Sequence, residues 1–561
     1  MNNATKYFVS RCNELLNQKT FDSYRVSLHT PLSIFKELDQ CIVKYNNKQI
    51  KRYDPTISVV IEEAISLLEN ENIADVFEFG KYLKDQVFVI LKNSLKSDQK
   101  IRSLSLLSRS LISVNSGFRN NLFSQIKTIL VADDRTQIKK LNCLASWLMS
   151  ELMYAGYSRS FIKSRIRKFS DLVIDVEDLT QSIEKLCDTF NHDPESYRVI
   201  FKIKLTDKDA FRVNSLSLDT LSELPFRFQN NPSINNAFKS LKNDELFIAT
   251  GMNGYDFKEV IKKSYPRISE VIDVNILHQS DNSIILDKQV FCYHLGSHRF
   301  RMEPLADILD GYYAYQEQEF DRFSRNYDSI AEGTTAREKL RSAIRFYKLG
   351  NESADLEHKI LNYWIGFEQL YSSEFTEEDS IKRIKVFFTA LNSSFYLQRR
   401  ANYLIDTLNR FSIQHDGQPI NRTHLFSEAT LKAIQQLCID DALAYHRLTK
   451  YIGLFYAKKE IKTSLEKHLK RLDQHLTRIY RIRNEVVHEG RASANLELVA
   501  GHLRHYLLFS IEQITNTLAE NPVLENLDDV FVHFENLFEQ VKTAADIQEV
   551  FSICDYKGYM E

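Results

Sequence analysis

Proline is scarce in this chain: nine in 561 residues, with Pro194, Pro225, Pro232, Pro266 and Pro304 gathered in one central block. None falls between Pro55 and Pro194, between Pro304 and Pro419, or between Pro419 and Pro522. Proline breaks helix interiors, so these tracts leave room for long helices, and a glycine count of only 15 agrees. Cysteine is thin as well. The seven (Cys12, Cys41, Cys143, Cys187, Cys292, Cys438 and Cys554) are dispersed without a CxxC pair. That pattern argues against a disulfide frame or a zinc site and fits reduced thiols in a cytoplasmic protein. No apolar run approaches the roughly 18 residues of a membrane span. The opening MNNATKYFVSRCNELL lacks the basic stretch and apolar core of a signal peptide. A net charge of −2 provides no global basic field for nucleic acid, so any such binding must come from a local patch.

What is present is an ordinary globular composition, 43% hydrophobic and 26% charged, in a chain long enough for about two to four domains. The expected class is mainly α, in parts. Residues 1–185 read as helical, with apolar residues three and four apart in SVVIEEAISLLENENIADVFEFGKYLKDQVFVILKNSL and LNCLASWLMSELMYAGYS. Residues 190–310 read as a small α+β region. YRVIFKIKL alternates, with Val199, Phe201, Ile203 and Leu205 on one face, and ELFIAT, VIDVNIL, NSIILD and QVFCYHL are further strand candidates. YDFKEVIKKSY reads as a helix packed on that sheet. Residues 336–540 return to helix, and 541–561 form a C-terminal tail.

Most polar features have an ordinary explanation. His294 and His298 follow a strand without a third metal ligand nearby. His502 and His505 fit a solvated or inter-helix face. GMNG, Gly251 to Gly254, reads as a turn without a phosphate-loop context. Carboxylate runs such as EFTEED read as solvated loop. No metal site and no cofactor is expected.

RIYRIRNEVVHEGR is different. Leu465, Leu469, Leu472, Leu476, Ile479 and Val486 make the apolar stripe of a helix. Arg483 lies only about 20° from Leu476 around that helix, on the stripe, where an unpaired charge is costly. An arginine satisfied by a buried carboxylate would also sit there. Asn484 follows, His488 comes five residues after the arginine, and Gly490 is placed to end the helix.

This Arg-Asn-x-x-x-His arrangement resembles the active-site motif of the HEPN ribonucleases, in which an arginine, a polar neighbour and a histidine lie along one helix. ILNYWIGFEQLYSS, Ile360 to Ser373, resembles the Trp-containing helix that opens the Apea-like branch of that family. There Glu368 lies in an apolar arc with Leu361, Trp364 and Tyr371, an evident partner for Arg483. The resemblance covers 336–540 and implies a helical bundle that cleaves RNA without metal. Arg483, Asn484 and His488 would be catalytic, Glu368 would support them, and Arg478, Arg481 and Arg491 would contact RNA. It also implies a homodimer through the C-terminal domain and a role in defence against phage. Residues 1–310 would then sense a phage-derived trigger. A non-catalytic module that binds nucleotide or a partner, or a plain interaction scaffold, is the alternative.

Overall fold

The computed structural model describes residues 1–17, 29–50, 53, 55–95, 97–175, 179–207, 211–213, 218–278, 283–305, 320–353, 355–373, 380–489, 496–521, 523, 524 and 526–555. Among the described residues the protein is mainly α, with a five-stranded antiparallel sheet in the middle of the chain and a short two-stranded ladder between Gln414–His415 and Gln418–Pro419. It divides into two compact units. The first gathers Met1–Glu151, Ile166–Ile183 and Tyr312–Glu561, and the second Leu152–Arg165 and Glu184–Gly311. The N-terminal helices therefore do not form a region separate from 336–540, as expected from sequence, but share a unit with it.

In the first unit, α1 (Asn3–Leu15), α2 (Pro31–Asn46) and α3 (Thr56–Leu68) are amphipathic. Helix α2 starts from a capping box in which Thr30 and Ser33 bond reciprocally, with Pro31 at the first turn, where a missing N–H costs nothing. At the other end of the chain, helices Thr335–Glu352 and Leu356–Tyr371 form a hairpin restarted by Asp355, whose carboxylate caps His358 N at 2.7 Å. Gly350 and Gly366 permit its close packing. A Cβ on Gly366 would lie 3.1 Å from Phe346 Cβ and 3.3 Å from the Ala343 carbonyl oxygen. The long helix Lys458–Glu489, 32 residues and about 48 Å at 1.5 Å per residue, packs on this hairpin together with Leu496–Glu520. Its expected apolar stripe is buried at Leu465, Leu476 and Ile479.

The expected C-terminal tail is not a tail through Cys554. Helix Ile547–Cys554 buries Ile547, Val550, Phe551 and Cys554 in the same core. An apolar i, i+3, i+4 pattern ran on past 541 and was enough to fold it.

The second unit holds β1 (Glu195–Leu205), β2 (Leu218–Leu221), β3 (Glu245–Gly254), β4 (Ile284–His294) and β5 (Phe300–Pro304), in the order β2-β3-β1-β4-β5. Every pairing is antiparallel. Val199, Phe201 and Ile203 of β1 face helix Phe257–His278 through Val260, Ile261 and Ile268. Ile200, Phe247 and Phe291 face Leu224, Phe228 and Phe238 on the other side. Three readings are corrected here. VIDVNIL is not a strand but the last part of the helix that begins at Phe257 and continues through Pro266. The described part of NSIILD and QVFCYHL belong to one strand, β4, rather than two. GMNG is not a turn: Gly251 to Gly254 end β3, paired with Arg198 to Glu195.

Candidate functional site

Helix Lys458–Glu489 carries Arg483, Asn484 and His488 toward its C-terminal end. Arg483 Nη1 donates to Asn484 Oδ1 at 3.1 Å, and its Nη2 lies 3.8 Å from Glu368 Oε2. The Arg483 and Glu368 side chains are 25% and 26% exposed, so the pair borders solvent instead of filling the core. The Arg483 Nε is shut off from solvent and has no hydrogen-bond acceptor among the described residues. Its fork is therefore incompletely satisfied. His488 stands exposed in the last turn.

Glu368 is positioned by packing. Trp364, fully buried, lies against Tyr480 with ring centroids 5.6 Å apart. One turn further along each helix, this contact sets Glu368 beside Arg483. Arg483 and His488, five residues apart, point about 140° from one another on a regular helix. The structure brings Arg483, Asn484 and Glu368 together; His488 makes no hydrogen bond or ion pair with them.

Arg478 and Arg481 have another occupation. Arg478 meets Glu37 through Nε and Nη2, at 2.9 and 3.0 Å, and Glu63 through Nη2 at 2.5 Å. Arg481 also donates to Glu37, and its Nε lies 3.8 Å from Glu485 Oε1. Lys44 Nζ closes the group on Glu485 Oε2 at 2.8 Å, and His29 Nε2 lies 2.9 Å from Glu37 Oε2. Both guanidiniums are enclosed and paired with carboxylates, which corrects their expected role as RNA contacts: a phosphate would have to displace those carboxylates. Arg491, the other expected RNA contact, lies outside the described residues, as does EFTEED.

Burial alone would push Glu37 up. Arg478, His29 and Arg481 outweigh it and hold the carboxyl well below its ordinary range. Burial likewise works against the charge of Arg478, and Glu37 and Glu63 more than restore it. Beside this group His475 Nδ1 meets Tyr506 OH at 2.8 Å, and His475 Nε2 meets His502 Nδ1 at 3.2 Å. Burial first, then His502, Arg478 and His29, hold His475 well below the ordinary imidazole value.

Glu37, Glu63 and His475 escaped the sequence reading. One signal was available for Glu37: it lies three residues after Ile34 and four before Cys41, a carboxylate on a buried face of α2. Of the remaining candidates, His294 packs edge-on to Tyr197 with Nε2 3.7 Å from Glu195 Oε2, and His298 is exposed. His502 is buried between helices, and His505 is partly buried. Among the described residues no group of three or more His, Cys, Asp or Glu is arranged to hold a metal ion, and no helix is long and apolar enough to cross a membrane. The chain matches no family model, no curated protein and no solved structure.

Proposed function

We propose that this protein is a metal-independent endoribonuclease of HEPN type, acting in antiphage defence. One observation carries the reading. Among the arginines described in the motif segment, Arg478 and Arg481 are consumed by buried carboxylates, whereas Arg483 borders solvent, loosely held by Glu368 and joined to Asn484. A purely structural arginine would resemble the first two.

RNA supplies its own nucleophile, so the protein needs to move protons and stabilise charge. The 2′-oxygen attacks phosphorus and loses its proton, the P–O5′ bond breaks, and the 5′-oxygen takes a proton. His488 is the residue type for that transfer, exposed where a substrate can reach it. Arg483 offers a planar, permanently charged fork to the phosphate oxygens as negative charge develops. Asn484 accepts from Arg483 through Oδ1, which leaves its amide N–H groups for a phosphate oxygen or for orienting the histidine. Glu368 holds Arg483 at the edge of the site without neutralising it closely.

The angle between Arg483 and His488 leaves one copy with a divided site. Two copies meeting across a twofold axis would set the arginine of one beside the histidine of the other, so a homodimer belongs to the proposal. Products should carry 2′,3′-cyclic phosphate and 5′-hydroxyl ends, and DNA should be inert.

Purified full-length protein incubated with total RNA in EDTA tests this. Cleavage is expected to persist in EDTA and to vanish in Arg483→Ala and His488→Ala, with circular dichroism unchanged. Undiminished cleavage by the folded double variant, or products ending in 5′-phosphate, would overturn it. If no RNA is cut while both variants lose binding of a partner, the non-catalytic module is the better description.

A further inference from the structure

A cleft of about 250 Å³ opens in the first unit between helices Phe320–Ser329, Tyr396–Arg410 and Leu496–Glu520. It shares no residue with the Arg483 site. Arg322, Arg399 and Arg422 converge on it, against the single carboxylate of Glu512. Arg422 is partly offset by Asp555, 3.3 Å away. Arg322 makes no close ion pair or hydrogen bond among the described residues, though the Glu520 carboxylate feels its charge. Arg399 is held in place: its Nη2 donates to the Asn392 carbonyl and Oδ1 at 2.9 and 2.8 Å, and its guanidinium lies 4.5 Å over the Phe509 ring.

Three guanidiniums around one half-open cleft repel one another, and an anion between them relieves that repulsion. The rest of the lining specifies more than a bare anion. Phe509 and Phe323 offer ring surface. Asn402 and Gln513 offer amides able to donate and accept, whereas Gln398 Nε2 already donates to Asp555 Oδ1 and Asn516 Oδ1 already accepts from Asn326 Nδ2, each at 2.9 Å. The side-chain oxygen of Gln513 is shut off from solvent and accepts no hydrogen bond among the described residues. A buried acceptor left unpaired is unfavourable, and a ligand N–H would satisfy it once the Gln513 side chain turns its oxygen into the cleft. Apolar walls with a few converging polar groups are the composition of small-ligand sites, and the volume is near the lower end of their range.

We infer that this cleft binds a mononucleotide: a phosphate among Arg322, Arg399 and Arg422, and a planar base edge read by the Gln513 and Asn402 amides. The proposal stands apart from the ribonuclease reading, since either can fail alone.

Calorimetric titration of the full-length chain with each nucleoside 5′-monophosphate, with the free nucleosides and with inorganic phosphate tests it. At least one monophosphate should bind saturably, with its nucleoside and phosphate alone each about tenfold weaker or more. Arg322→Gln should weaken that binding about tenfold or more. Asn402 is exposed, so Asn402→Asp should fold and should weaken it too, by replacing the amide that reads the base and adding a second carboxylate to the cleft. In Arg483→Ala and His488→Ala the cleft's binding event should persist, because neither residue lines it. Absence of saturable binding by every monophosphate overturns the inference. Phosphate binding as tightly as the nucleotide, or loss in Arg483→Ala but not in Arg322→Gln, overturns it as well.

Discussion

Arginines in one helix turn can look alike and do opposite things. Arg478 is enclosed by Glu37 and Glu63, whereas Arg483 borders solvent. Arg478→Ala would take that partner from partly buried Glu63 and leave buried Glu37 with Arg481 and His29 alone, and is expected to cost about 3 kcal/mol in urea unfolding. Arg483→Ala should cost under about 1 kcal/mol, the range of partly exposed pairs. Equal losses would contradict the division of roles. The histidines add a pH dependence. His475 is held low by burial and its neighbours, and His446 is pushed down to about 4, chiefly by burial and then by Arg447, Lys450 and Arg11. Both are neutral when folded but take up protons when unfolded below about pH 6.5. Their contribution is present above that pH and lost as pH falls toward the folded values. Each steepens the fall by up to about 1.4 kcal/mol per pH unit. Urea midpoints should therefore drop between pH 7.5 and 5.5, and His446→Gln should flatten part of the drop; a constant midpoint would refute this. Glu37 acts lower, its contribution being lost only as pH falls below about 4.5. The sequence showed Arg483 as an anomaly because its surroundings are local, an apolar stripe on its own helix. It could not separate Arg478 from Arg483, because Glu37 and Glu63 lie 441 and 415 residues away along the chain.

Elements were legible where one period dominated. The alternation in YRVIFKIKL lies within β1, and Leu465 to Val486 lie within one helix. VIDVNIL was misread because its β-branched residues favour a strand, and Pro266, a residue type that breaks helix interiors, lies just upstream. Tertiary packing on the sheet overrode both, with Ile268 wholly buried in the helix face and Val271 and Ile272 packed beside it. Tight helix contacts leave less local trace. A Cβ on Gly350 would lie 2.3 Å from Tyr363 Cε1, in a ring that is 1% exposed and anchored by its hydroxyl to Asn351 Oδ1 at 2.8 Å. Alanine is the better helix former by about 1 kcal/mol. Gly350→Ala should nevertheless lower the melting temperature, because displacing the ring costs about 1–3 kcal/mol. A higher melting temperature would show that the hairpin can open to accept the methyl group.

At the scale of the molecule, the expected boundary between a sensing N-terminal part and a C-terminal effector does not follow chain order. Glu14 of α1 pairs with Arg447 at 2.5 Å, and Glu37 of α2 with Arg478 and Arg481. Sequence periodicity identified the helices at both ends but carried no information that their buried charges answer each other. A chain beginning near Gly333 would leave Arg447, Arg478 and Arg481 without those carboxylates. It is expected to lose its helical circular dichroism signal or aggregate, rather than to report the basal activity of a free effector. A cooperative melt for that fragment would show that the two ends fold independently. Any trigger-sensing role should be sought in the intact protein, the second unit included.

The same pairing imposes an order in time. During synthesis α2 leaves the ribosome with Glu37 unmatched, and Arg478 is made 441 residues later. At about 5–20 residues per second that wait is roughly 20–90 s. The helix bearing Arg483 and His488 can thus dock on α2 only after that interval. On the proposed reading, the site that would cut RNA is not completed until that helix has been made and docked.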